Sequence, residues 1–151
     1  GASSRLFQRL REELGLAYSV YSSHSASKGG GLFTVSASFS ADRQEMVLTE
    51  INEVLKGMLD GVTAEEFDRA RAQIKASNIM GLETVAARAS FAGHNELIEG
   101  RQITSKEILE NLNALTRSDI DNLAAEVIGS PARALSVAGN TKSRSFYKNL
   151  L

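Results

Sequence analysis

Arg11 and Tyr18 are the residues of this chain whose types and spacing could do chemistry together. They stand seven positions apart (18 − 11), one in the last full turn of an expected helix and the other early in an expected strand. One tight turn separates them, so a long cation and a phenol can converge on one small volume. A guanidinium can hold a carbonyl in register, and a phenol can donate to an oxygen on which negative charge develops. The plainer alternative is that Arg11 complements the negative end of its helix and Tyr18 sits half-buried in a sheet. Spacing alone leaves both open.

Other routes to catalysis find little support. A catalytic zinc site takes about three protein ligands, and the chain has only His24 and His94, remote from each other, and no cysteine. Glu96 follows His94 by two positions and points away from it on a helix, while the position that shares its face is Ile98. Ser22, Ser23 and Ser25 flank His24, but strand neighbours face opposite ways and no orienting acid is near. No Gly-x-Ser-x-Gly elbow occurs. The Gly29–Gly31 run lacks the spacing of a phosphate loop.

The elements that position the pair are legible nearby. Ser3 and Ser4 are helix caps, Leu6, Leu10 and Leu14 form a stripe, and Gly15 supplies a left-handed stop. Ala17–His24 has strand chemistry, and residues 22–31 (SSHSASKGGG) read as a turn or loop. Leu32–Phe39 alternates, with Phe33, Val35, Ala37 and Phe39 on one face. A helix capped at Ser40–Asp42 follows, with Val47, Ile51, Val54 and Met58 as its stripe and Gly61 as its end. Thr63–Glu66 is a capping box opening a helical stretch toward Glu99 that should break at Gly81. Arg88, among small residues, reads as a solvated or sheet-edge arginine. Further helices are expected from Thr104 and Thr116, and Gly129–Pro131 ends the last of them. Ala132–Ala138 reads as a late strand with Leu135 and Val137 toward the core, and Gly139–Leu151 as a tail. A hairpin, gathered helices and a late strand predict an α+β two-layer sandwich: a mostly antiparallel sheet with helices on one face.

With 151 residues and 42% hydrophobic content, the chain can bury a sizeable core. A net charge of −1 gives no global attraction to nucleic acid. Arg5, Arg9 and Arg11 form only a weak basic patch, interrupted by Glu12 and Glu13. No apolar run is long enough for a membrane-spanning helix.

Several segments in order carry a resemblance: Ser3–Phe7 (SSRLF), Leu10–Glu12, Gly15–Val20 (GLAYSV), residues 61–71 (GVTAEEFDRAR), 81–88 (GLETVAAR) and 100–115. Together they resemble the second, non-zinc domain of pitrilysin and mitochondrial-processing-type zinc peptidases, the inverzincins. The likeness runs to about Asn140, so residues 1–140 are expected to form that domain and 141–151 a C-terminal tail. It implies a half-clamshell fold with one more strand and helix, and a whole domain, before Gly1. It implies no metal in this chain and zinc in a complementary domain or partner subunit carrying His-x-x-Glu-His. Arg11 and Tyr18 match the family's Arg and Tyr, which reach an unfolded peptide substrate across a closed interior. A homo- or hetero-dimer and a periplasmic or mitochondrial-type setting are compatible with it. The same family also contains non-catalytic scaffold and peptide-binding subunits, the alternative to a substrate-contacting half of a metalloendopeptidase.

Overall fold

The computed structural model describes residues 1–150, and Leu151 lies outside them. The chain is α+β and divides into two compact units, residues 1–60 with 122–150, and residues 61–121.

The first unit begins with α1 (Arg5–Phe7), capped by the Ser4 hydroxyl, which accepts from Phe7 N at 3.3 Å. The helix does not continue as the α-helix expected to Leu14. It widens into a π-helix over Gln8–Glu13, with Leu14 N donating to Arg9 O at 3.2 Å. Leu6, Leu10 and Leu14 are spaced by four throughout. That spacing drifts around an α-helix of about 3.6 residues per turn, and a wider turn keeps the stripe on one side. Leu10 is thereby fully buried, at 0% exposure. Gly15 ends the helix in the left-handed region, φ 57°, and Leu16 N closes back on Leu10 O at 2.7 Å.

Strands β1 (Ala17–Ser27) and β2 (Gly30–Phe39) then pair antiparallel. The loop expected over residues 22–31 shrinks to Lys28 and Gly29, because both strands run nearly to the tip. Ladder hydrogen bonds come from the backbone, so a serine-rich stretch pairs as well as an apolar one. His24 is consequently a strand residue opposite Phe33, not a loop-edge residue. A Cβ at position 31 would stand 2.9 Å from Ser25 O, a close approach that only glycine allows.

One face of the hairpin meets the first helix and α2 (Gln44–Lys56), which follows a 3-10 turn at Ala41–Arg43. Leu6, Leu10, Leu16, Ala17, Val20 and Val47 form the buried core, with Val35, Ala37, Phe39, Ile51 and Val54 packed against it. Helix α2 stops at Gly57 rather than the expected Gly61, as Met58 N and Leu59 N turn back to Leu55 O and Lys56 O.

The stretch 132–138, expected as a late strand, is not a strand among the described residues. Leu135, expected toward the core, is exposed. An extended segment becomes a strand only by pairing, and no described segment pairs with this one. Residues beyond Asn140 carry α7 (Arg144–Lys148), capped by Ser143. Tyr147 hydrogen bonds through its hydroxyl to Gln44 Oε1, buried Gln44 donates to Asn140 O at 3.0 Å, and Asn52 donates to Leu150 O at 2.6 Å.

The second unit is helical. Its α3 (Ala64–Gly81) opens on the expected capping box, with Glu66 N on Thr63 Oγ1 at 3.1 Å and Thr63 N on Glu66 Oε2 at 2.9 Å. It ends at Gly81 as expected, and Arg88 donates to Leu82 O at 2.7 Å, near the end of α3. Thr84 caps α4 (Val85–Glu99) and Thr104 caps α5 (Ser105–Ala114). Glu107 N donates to Thr104 Oγ1 at 3.1 Å, and the Glu107 carboxylate takes Arg101 at 2.6 and 2.9 Å. Asp119 and Thr116 bond each other at the start of α6 (Arg117–Ile128).

Candidate functional site

The first helix delivers Arg11 on the same side as Phe7, one turn earlier, and the Gly15 turn folds β1 back beneath it. The Arg11 guanidinium carbon lies 5.4 Å from the Phe7 ring centroid and 5.5 Å from that of Tyr18. Its Nη1 donates to the Tyr18 carbonyl oxygen. The two sequence-selected residues therefore meet, through a cation–π contact and a hydrogen bond that fixes the strand's start. Nearby Arg9 is engaged differently, with Glu50 at 2.8 Å and Glu13 at 3.0 Å. The Glu50 hydrogen bond, then that of Glu13, holds the Arg9 proton more firmly than usual.

Tyr18 is 79% exposed, and the reason is a β-bulge. Ala17 pairs with Phe39 and Ser19 with the very next residue, Ser38, leaving Tyr18 as the extra residue. The bulge reconciles two demands. Ala17 and Val20 are three apart yet both buried, which a regular two-residue alternation forbids. Inserting one residue lets both face the core and turns Tyr18 out. No described residue hydrogen bonds to its phenol oxygen.

Beside Tyr18 lies a shallow depression of about 370 Å³, lined by Gly15, Leu16, Ala17, Ser38, Phe39, Ser40 and Arg43. Arg43, which sequence reasoning did not single out, donates from Nη1 to Gly15 O at 2.7 Å. The Gly15 turn is thus braced by Arg43, while Arg11 braces Tyr18. Asp42 bonds Ser40, which with the helix-start backbone and then Arg43 lowers its pKa from the usual carboxylate value. The spacing of Ala17 and Val20 was the available signal for the bulge; nothing local in the sequence signalled Arg43.

Among the described residues no three of His, Asp and Glu gather into a group that could hold a metal ion. His24 stands on β1 and His94 on α4, each exposed. No described helix is long and apolar enough to cross a membrane.

The fold that carries these residues is α+β, a short helix and a bulged antiparallel hairpin followed by helices. Residues 1–74 match the family model described as the peptidase M16 inactive domain. The chain belongs to the pitrilysin-type M16 zinc-peptidase family and is its C-terminal, non-zinc domain. It is 37% identical over 143 residues to an "Uncharacterized zinc protease" of Rickettsia bellii, covering 95% of this chain and 35% of that protein. It is also 37% identical over 126 residues to the "Uncharacterized zinc protease YmxG" of Bacillus subtilis, covering 83% of this chain and 31% of that one. The chain thus spans about a third of the length of these relatives. A conserved protein from Enterococcus faecalis V583 superposes with TM-score 0.70 at 28% identity, over 82% of this chain and 29% of that one. The periplasmic protease PqqL of Escherichia coli superposes with TM-score 0.71 at 19% identity, over 83% and 14%, a likeness of fold.

Proposed function

We propose that this domain is the substrate-contacting, non-zinc half of a zinc metalloendopeptidase. It supplies Arg11 and Tyr18 to a reaction centre whose metal is held by another domain or a partner subunit. The observation that carries the reading is the bulge that puts an exposed phenol, free of any described hydrogen-bond partner, against a guanidinium beside an open depression. A core role for Tyr18 would have left its ring covered, and a purely capping role for Arg11 would not require an exposed phenol beneath it.

The substrate is an unfolded peptide, bound extended along the open side of the hairpin. Arg11 spends one N–H on the Tyr18 carbonyl and keeps the others for a peptide carbonyl, fixing the register. The Tyr18 phenol donates to the scissile carbonyl oxygen as negative charge gathers there. Held by the bulge and the Arg11 bond, the phenol needs little reorganisation to do so. Zinc belongs to the complementary half, because the described residues here gather no ligand set.

The test is reconstitution with the region or partner chain bearing His-x-x-Glu-His. This chain alone should neither retain zinc nor hydrolyse a peptide, and the two halves together should do both. Stoichiometric zinc in this chain alone would overturn the assignment. A well-formed complex that binds peptide but never cleaves it would instead favour the scaffold or peptide-binding subunit.

A further inference from the structure

Arg43 lacks the carboxylate partner that several arginines of this fold have. Arg9, Arg69, Arg71 and Arg101 each pair with a carboxylate within 4.0 Å. Arg43 and Arg11 pair with none among the described residues; each donates instead to a backbone carbonyl, of Gly15 and of Tyr18. These two guanidiniums therefore hold the two ends of the segment 15–18. The depression beside that segment is lined by Arg43, the seryl residues Ser38 and Ser40, and apolar groups, with no carboxylate in its wall. Asp42 is adjacent in sequence and feels the Arg43 charge, but its hydrogen bonds go to Ser40 and its own backbone.

A cation on a shallow wall, with no carboxylate within ion-pair distance and seryl residues beside it, is suited to a carboxylate. One N–H of the Arg43 fork is committed to Gly15 O; those remaining can take an anion in the charge-assisted way that guanidinium favours. We infer that the depression beside Tyr18 is a subsite for a peptide carboxylate, with Arg43 as its specificity-determining residue. The inference rests on the proposed peptide-binding role of this face and names the chemistry one substrate position should carry. The carboxylate can be an aspartate or glutamate side chain or the peptide's own C-terminus. Arg43 would also position the reacting pair, since its bond to Gly15 O steadies the turn between Arg11 and Tyr18.

The experiment titrates the isotopically labelled 151-residue chain with three pentapeptides, read by the amide shifts of residues 15–18 and 38–43. One carries a central Glu and an amidated end, one a central Gln and an amidated end, and one a central Gln and a free C-terminus. At least one carboxylate peptide should bind about fivefold tighter than the neutral one, the scale of an exposed ion pair, with the gap closing in high salt. Preference for the Glu peptide assigns the subsite to a side chain; preference for the free end assigns it to a terminus. Arg43→Gln should abolish the gap and Arg43→Lys should retain part of it. Equal binding of all three peptides, no binding by any, or a gap that survives in Arg43→Gln overturns the inference. The hydrolytic role of the face is judged separately by turnover in the reconstituted peptidase, so either idea can fail alone.

Discussion

Gly15→Ala isolates the turn that brings Arg11 to Tyr18. Gly15 has φ 57°, and a Cβ built on it meets nothing within 4 Å. No clash contributes, so the cost is the intrinsic left-handed penalty of an L-residue, about 1–2 kcal/mol. Alanine also restricts the unfolded chain, which returns about 0.4–1 kcal/mol. The net loss should be roughly 1 kcal/mol, or a drop in urea midpoint of about 0.5 M for a typical slope. Gly15→Asn should lose less than Gly15→Ala, because a short polar side chain tolerates this conformation. Urea denaturation followed by circular dichroism gives both midpoints. An alanine variant as stable as the parent, or an asparagine variant worse than alanine, would refute the assignment of a left-handed turn here.

Other outcomes follow from the same packing. Leu10→Ala empties a fully buried position between the first helix and β1 and should cost about 2–5 kcal/mol, whereas Leu32→Ala, at the exposed hairpin tip, should cost under about 0.5 kcal/mol; similar losses in urea melts would contradict the core described. Glu107 and Asp119 have folded pKa values lowered from 4.5 and 3.8, by the Arg101 hydrogen bond and by the Thr116 hydrogen bonds. Their contribution is therefore present above those ordinary values and is lost as pH falls through the folded ones. The urea midpoint should fall less between pH 5 and pH 3 in a Glu107→Gln, Asp119→Asn variant than in the parent, and an equal or steeper fall would refute it.

Much of the helical order was legible because caps are local. Thr63 with Glu66, Thr104, and the breaks at Gly15 and Gly81 act through hydrogen bonds or backbone angles spanning a few residues. What the sequence hid was non-local. The widening of the first helix depends on how Leu10 seats against β1 and α2, and propensity has no term for it. The length of the hairpin depended on backbone pairing, which the serines of residues 22–27 neither advertise nor oppose. Ala132–Ala138 shows the reverse error: strand-like composition without a partner strand makes no strand.

For the site, residue types named Arg11 and Tyr18, and the fold explains how they meet. The bulge was written in the three-residue interval between Ala17 and Val20, yet an interval alone does not say which of the intervening residues turns outward. Arg43 reaches Gly15 across 28 positions, a contact invisible until the hairpin closes.

The account rests on the exposed phenol of Tyr18 acting in the transition state, and the most direct measurement is the steady-state kinetics of Tyr18→Phe in the reconstituted peptidase. Loss of one donor to a developing oxyanion should lower kcat about 100- to 1000-fold with KM changed little, and zinc content and melting temperature should match the parent. An unchanged kcat, or a loss confined to KM, would contradict it.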